Sequence, residues 1–102
     1  AAHHNLGNLT CIVDYNHSAD RMLNLGDLSK KFTAFGWSSK VINGHHHQSI
    51  YKQLKNNQHL QPNVIVAETI KGYGIKTMEN NPEWHHKVPT REEYDNFINE
   101  LS

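Results

Sequence analysis

Three short stretches combine residue types that chemistry at a metal ion or a phosphate would require. Asp14-Tyr15-Asn16-His17-Ser18 follows an apolar run and gathers carboxylate, carboxamide and carbonyl oxygens, hard donors suited to Mg2+ or Ca2+. The same composition also describes a turn rich in Asp and Asn that needs no metal. Ile70-Lys71-Gly72-Tyr73-Gly74 follows a second apolar run. Its glycines would let backbone amides approach a phosphate, and Lys71 would add a positive charge. It is neither a Walker loop nor a dinucleotide fingerprint, and a tight turn is the plain alternative. The third stretch, Met78 to Pro89, holds Asn80-Asn81-Pro82 and Trp84-His85-His86. Loops of this length in a compact domain are usually functional or disordered, and the Trp-His pair argues against disorder.

The elements that must position these stretches are legible as patterns. Residues 9–14, 40–42 and 63–69 read as strands; the last is the clearest, with β-branched residues packed together after Pro62. Residues 9–14, a nearly continuous apolar run, are expected to be covered on both faces. Asp27 is a candidate N-cap for a helix carrying Leu28, Phe32 and Phe35, closed by a left-handed Gly36. A second helix is expected over 47–57. Thr90-Arg91-Glu92-Glu93 is a capping box that opens a helix with Tyr94, Phe97, Ile98 and Leu101 on one stripe. Residues 56–61 are polar enough for a flexible connection. Strands alternating with helices predict an α/β fold: a three-layer parallel sheet with right-handed crossover helices. Three strands are few for that architecture, so the chain reads as part of a doubly wound domain. In such sheets ligands bind beyond the carboxyl ends of the strands, which here means after Asp14, Ile42 and Thr69.

Composition narrows the partners. The 102 residues hold ten basic and ten acidic side chains, so no net field draws in nucleic acid or an anionic membrane. No apolar run approaches the roughly 20 residues of a spanning helix, and the first residues carry no signal-peptide pattern. The one cysteine, Cys11, excludes an internal disulfide and a multi-cysteine zinc site; a reduced, cytoplasmic setting is the default. With 36% hydrophobic residues and a mean hydropathy of −0.74, the chain is poor in core material for a domain standing alone. It begins at Ala1, and residues 1–5 read like the end of a helix already under way, which predicts a processed or truncated chain. His45 to His47 read as solvated histidines at a helix start, and Phe32, Phe35 and Trp37 as a core cluster.

Taken in order, Asn8-Leu9 through Asp14-Tyr15-Asn16, Ala34-Phe35-Gly36-Trp37, Asn43-Gly44-His45, Thr69-Ile70-Lys71-Gly72-Tyr73-Gly74 and Met78-Glu79-Asn80-Asn81-Pro82-Glu83-Trp84-His85 strongly resemble transketolases. Order and spacing match the second half of the N-terminal, thiamine diphosphate-binding domain across essentially all of residues 1–102. The ending near Ser102 also resembles transketolases split into N-terminal and C-terminal subunits.

The resemblance implies a thiamine diphosphate-binding fold, present as a partial domain, in an enzyme that moves a two-carbon ketol unit from a ketose phosphate to an aldose phosphate. The cofactor would serve as electron sink. In the family a Mg2+ (sometimes Ca2+) is held by an aspartate of an upstream Gly-Asp-Gly motif, an asparagine side chain and the carbonyl two residues later. Asn16 matches that asparagine, and Ser18 would supply the carbonyl. Lys71 is similar to the family lysine near the cofactor. His85 resembles the histidine that lies beside the diphosphate and handles a substrate hydroxyl. Four departures stand out. Gly-Asp-Gly would lie before residue 1; Gly44-His45-His46 replaces Gly-His-Asp; His86 replaces a glycine; and Ala19-Asp20-Arg21 replaces Ile-Asp-Gly. The expectation is a fragment inactive alone, completed by the upstream segment and a C-terminal transketolase subunit or domains, in a dimer or heterotetramer. The alternatives are another thiamine diphosphate enzyme, of the deoxyxylulose phosphate synthase or ketoacid dehydrogenase type, or a non-catalytic remnant that binds a partner subunit. Trp84-His85 and Met78-Glu79-Asn80-Asn81-Pro82 favour transketolase over the other enzymes.

Overall fold

The structure, a computed structural model, describes residues 1–56 and 60–102. Residues 57–59, the middle of the polar connection expected over 56–61 and the end of the expected second helix, lie outside the described residues. The chain divides into two compact units, residues 1–69 and residues 70–102.

The first unit is a parallel α/β sheet: β1 (Thr10–Tyr15), α1 (Leu28–Ala34), β2 (Ser38–Asn43), α2 (His47–Lys55) and β3 (Asn63–Glu68). The strand order is β1-β3-β2, with both pairs parallel. The last strand therefore fills the centre. Its sequence explains why: Val64, Ile65, Val66 and Ala67 are all buried, and a run apolar on both faces is stable only where both faces and both edges are covered. Burying each of the three large side chains contributes roughly 1.5–3 kcal/mol. The expectation that β1 is covered on both faces needs correction. Its burial alternates, and Ile12 is 56% exposed, as suits a strand at the sheet edge.

Local signals set the helices. The Asp27 carboxylate accepts from the Lys30 amide at 2.9 Å to open α1, and Gly36, at φ +81°, lets the chain turn out of it. Phe32 and Trp37 meet edge to face, ring centroids 5.4 Å apart. Phe35 does not join the expected cluster and is 77% exposed. It is the C-cap of a seven-residue helix, with ψ near 10°, so the helical spacing from Leu28 no longer sets its direction. Among the described residues no helix is long and apolar enough to cross a membrane.

The second unit holds a closely hydrogen-bonded loop, a 3-10 turn at Pro82–His85 and α3 (Arg91–Leu101). The capping box is present: the Thr90 hydroxyl accepts from the Glu93 amide, and the Glu93 carboxylate accepts from the Thr90 amide at 2.8 Å. Of the expected stripe only Phe97 is buried; Tyr94, Ile98 and Leu101 remain about half exposed. Phe97 meets Trp84 edge to face at 5.3 Å. The Lys87 ammonium lies 4.1 Å from the centre of the same indole and 2.6 Å from a Glu93 oxygen. Trp84 thereby ties the loop to the helix.

Two expectations follow. A Cβ on Gly44 would collide with the Thr69 methyl and lie 3.0 Å from the Glu68 carbonyl oxygen, and that methyl cannot turn away while the Thr69 hydroxyl donates to Asp14. Gly44→Ala should lower stability by about 1–3 kcal/mol, the usual cost of overpacking. Thr69→Ser, which keeps the hydroxyl and deletes the methyl, should recover part of that loss in a denaturant-unfolding cycle. Separately, the Lys87 ammonium and then the Thr90 amide hold the Glu93 carboxyl below its ordinary value. A carboxyl lowered in the folded state stabilises it above the unfolded-state value, and that gain disappears as pH falls through the lower folded value. Amide exchange in the first turn of α3 should accelerate across that acid window, and Glu93→Gln should abolish this pH dependence.

Candidate cofactor site

The carboxyl tips of the strands end level. Tyr15, Glu68 and Asn43 are register partners, so Asn16, Thr69 and Gly44 leave the sheet side by side. The Gly44 amide donates to Glu68 O at 2.7 Å, and the Thr69 amide donates to Tyr15 O at 3.1 Å. Thr69 also donates its hydroxyl to Asp14. These bonds stitch the tips together.

At the β1 tip the Asn16 carboxamide oxygen accepts from the Ser18 amide at 3.0 Å, closing a turn whose middle residue, His17, has φ +60°. Asp20 accepts from the Tyr15 hydroxyl at 3.0 and 3.1 Å and lies 2.8 Å from His17 Nδ1. The Tyr15 and His17 rings are 4.2 Å apart. The His17 bond, then that of Tyr15, holds the Asp20 carboxyl below its usual range. The Tyr15 hydroxyl is pushed up, by desolvation first and by Asp20 second. Asp20 is thus engaged by His17, Tyr15 and the Leu25 backbone, whereas the Asn16 oxygen makes one short-range bond and keeps a second lone pair. That oxygen and the Ser18 carbonyl are hard donors of the kind a divalent cation takes, two of the six an octahedral Mg2+ needs. Among the described residues no group of three or more His, Cys, Asp or Glu is placed to hold a metal.

In the second unit the Lys71 ammonium lies 2.9 Å from His85 Nδ1. Charged lysine can only donate, so the His85 ring accepts at Nδ1 and carries its proton on Nε2. The turn that brings them together is built on Gly72 and Asn80, both at positive φ. The Asn80 amide donates to Lys71 O at 2.9 Å, and a Cβ on Gly72 would lie 2.6 Å from the Met78 backbone. The amides of the Gly-x-Gly element are largely occupied: Tyr73 N donates to Ile70 O at 3.1 Å, and Gly74 N donates to a Glu79 carboxylate oxygen at 3.1 Å. Here the glycines serve close chain approach, the tight-turn alternative. His85 is exposed and is held by the Pro82–His85 turn, whose Asn81 side chain caps the Glu83 amide at 3.0 Å.

The structure therefore joins Asn16 to Ser18 and Lys71 to His85. Sequence reasoning missed the Tyr15-His17-Asp20 network, although the i, i+3 spacing of His17 and Asp20 carried a signal. The Lys71–His85 bond spans 14 residues and had none. Of the histidines expected to be solvated, His46 and His47 are exposed and His45 is partly buried, and His46 Nδ1 lies 2.6 Å from the Ser49 hydroxyl.

The chain thus combines a parallel α/β sheet, with oxygen donors at one strand tip, and, later in the sequence, a lysine–histidine pair. The family model of the transketolase thiamine diphosphate-binding domain matches residues 1–98, and the chain belongs to that family. An apulose-4-phosphate transketolase subunit of Phocaeicola vulgatus is 31% identical over 104 residues, covering 95% of this chain and 37% of that protein. The subunit of the same name from Actinobacillus succinogenes is 36% identical over 107 residues, covering 99% and 39%. Human transketolase is 30% identical over 106 residues, covering 99% and 17%. A crystal structure of transketolase from Campylobacter jejuni superposes with a TM-score of 0.71 at 27% identity, over 79% of this chain and 14% of that one. The chain thus spans less than half the length of each of these relatives.

The Lys71–His85 bond makes a spectroscopic prediction. Long-range 15N NMR at neutral pH should find His85 as the Nε2–H tautomer. Lys71→Met should release Nδ1 and give a mixture of tautomers; an unchanged pattern would mean that the lysine does not set the ring.

Proposed function

We propose that this domain is part of a thiamine diphosphate-dependent transketolase, transferring a two-carbon ketol unit from a ketose phosphate to an aldose phosphate. The observation that carries the reading is the Asn16-His17-Ser18 turn at the carboxyl tip of β1, in a chain belonging to the thiamine diphosphate-binding family. When bound, the cofactor supplies the electron sink for cleaving and forming the carbon–carbon bond. The residues of this chain bind and orient. Asn16 Oδ1 and the Ser18 carbonyl would hold the Mg2+, or Ca2+, whose charge would offset that of the diphosphate. Lys71 adds positive charge near the cofactor and fixes the tautomer of His85. His85 would lie beside the diphosphate and, with Nδ1 occupied by Lys71, would use its Nε2–H to hydrogen-bond and protonate a substrate oxygen.

Two neutral oxygens are a minority of a metal shell, so the chain by itself is expected to be inactive and to bind cofactor weakly. An upstream segment and a C-terminal subunit or domains complete the site, in a dimer or heterotetramer in the cytoplasm. Two of the relatives are themselves named as single subunits of a transketolase, which supports a split arrangement.

Asn16 and His85 should fail differently in the assembled enzyme. Asn16→Ala removes a metal ligand, so its loss should appear as weaker cofactor affinity that excess Mg2+ and thiamine diphosphate partly restore. His85→Ala leaves the metal ligands in place and removes a positioned acid–base group, worth about 10²- to 10⁴-fold, so its defect should persist in kcat at saturating cofactor. Steady-state kinetics across a cofactor titration separates the two. Full rescue of His85→Ala by cofactor would reduce His85 to an anchor.

A further inference from the structure

His17 stands between the two proposed metal-binding oxygens and adopts a left-handed backbone conformation, φ +60°, which side chains with a Cβ rarely occupy. Something must hold it there. The Asn16–Ser18 bond closes the turn from one side. On the other, Asp20 takes His17 Nδ1 at 2.8 Å and the Tyr15 hydroxyl at 3.0 and 3.1 Å. Tyr15 is the last residue of β1, fixed by its register with Glu68 and by the Thr69 amide on its carbonyl. A continuous path of bonds thus runs from the sheet through Tyr15 and Asp20 to His17, straddling Asn16 without using its remaining lone pair. Both Asp20 oxygens are engaged in it, and the Leu25 backbone adds a further bond, so Asp20 is placed to hold the turn. The His17 side chain is half exposed, and without a carboxylate partner water would take over its bond and leave the left-handed residue free to relax.

We propose that Asp20 is a positioning residue for the metal: by clamping His17 to the end of β1, it fixes the Asn16 carboxamide oxygen and the Ser18 carbonyl in their ligating orientation. The proposal rests on the reading of Asn16 and Ser18 as metal ligands. Partners that orient first-layer ligands typically change metal affinity 10- to 100-fold when removed. The effect should depend on His17 having a Cβ, because glycine enters the left-handed region without strain.

The test is a Mn2+ titration followed by electron paramagnetic resonance, on the fully assembled enzyme with thiamine diphosphate in excess. Asp20→Ala should weaken Mn2+ binding about 10- to 100-fold, with kcat regained as metal is raised. Asp20→Asn, which keeps one acceptor oxygen, and Tyr15→Phe should lose less, and they carry the test if Asp20→Ala fails to assemble. In a His17→Gly background the penalty of Asp20→Ala should shrink. If Asn16→Ala weakens Mn2+ binding while the Asp20 and Tyr15 variants do not, the positioning role is overturned and the metal site stands. If the Asp20→Ala penalty is undiminished in the His17→Gly background, Asp20 does not act through His17, and the inference fails. If Asn16→Ala leaves Mn2+ affinity unchanged, the metal site falls and the inference with it.

Discussion

β3 hydrogen-bonds along both edges, to β1 on one side and β2 on the other, while its apolar side chains are withdrawn from water. The sheet depends on this double engagement. A backbone strand buried in apolar surroundings must pair all of its amides and carbonyls or lose about 1–3 kcal/mol for each one left over. Pairing along both edges in one register also fixes where the neighbours stop. Because Tyr15 and Asn43 lie opposite the same residue, Glu68, the segments that follow emerge on one level. The oxygens at the β1 tip owe their place to the hydrophobic run of a strand far away in sequence.

The second unit solves a similar problem with little apolar material. Trp84 is gripped by an aromatic edge from α3 and by the Lys87 cation, itself paired with the capping residue Glu93. One glutamate therefore caps a helix, anchors a lysine and, through that lysine, steadies the indole one residue before His85. Its neighbour Lys71 is held by a turn that only a glycine at 72 permits. Histidine orientation here is the outcome of two independent devices, one of side chains and one of backbone.

Short-range chemistry was legible in the sequence. The Asp27 cap, the left-handed Gly36 and the Thr90–Glu93 box each need only three or four residues to specify a geometry, and each is present. The β-branched run of β3 was legible because a strand buried on both faces cannot alternate. The transketolase resemblance, carried by motif order, agrees with the family to which the chain belongs. Phe35 misled because helical spacing was extended one residue past the last helical turn. The coverage of β1 misled because Ile12 and Val13 look alike in sequence, and only the edge position exposes one of them. The use of the Gly-x-Gly amides was not legible, since their partners, Ile70 O and the Glu79 carboxylate, compete with any phosphate by geometry rather than by type.

The strand order β1-β3-β2 has a consequence for biosynthesis. β1 and β2 precede β3 in the chain yet do not pair with each other, so neither ladder of this sheet exists until β3 has left the ribosome. Until then β1 and β2 each lack the strand they pair with in this sheet. Closing such distant pairings is entropically slow, and unpaired strands waiting for a partner are prone to stray association. The order of translation thus makes a window in which holding chaperones have two waiting strands to shield, and it closes when the central strand arrives and forms both ladders.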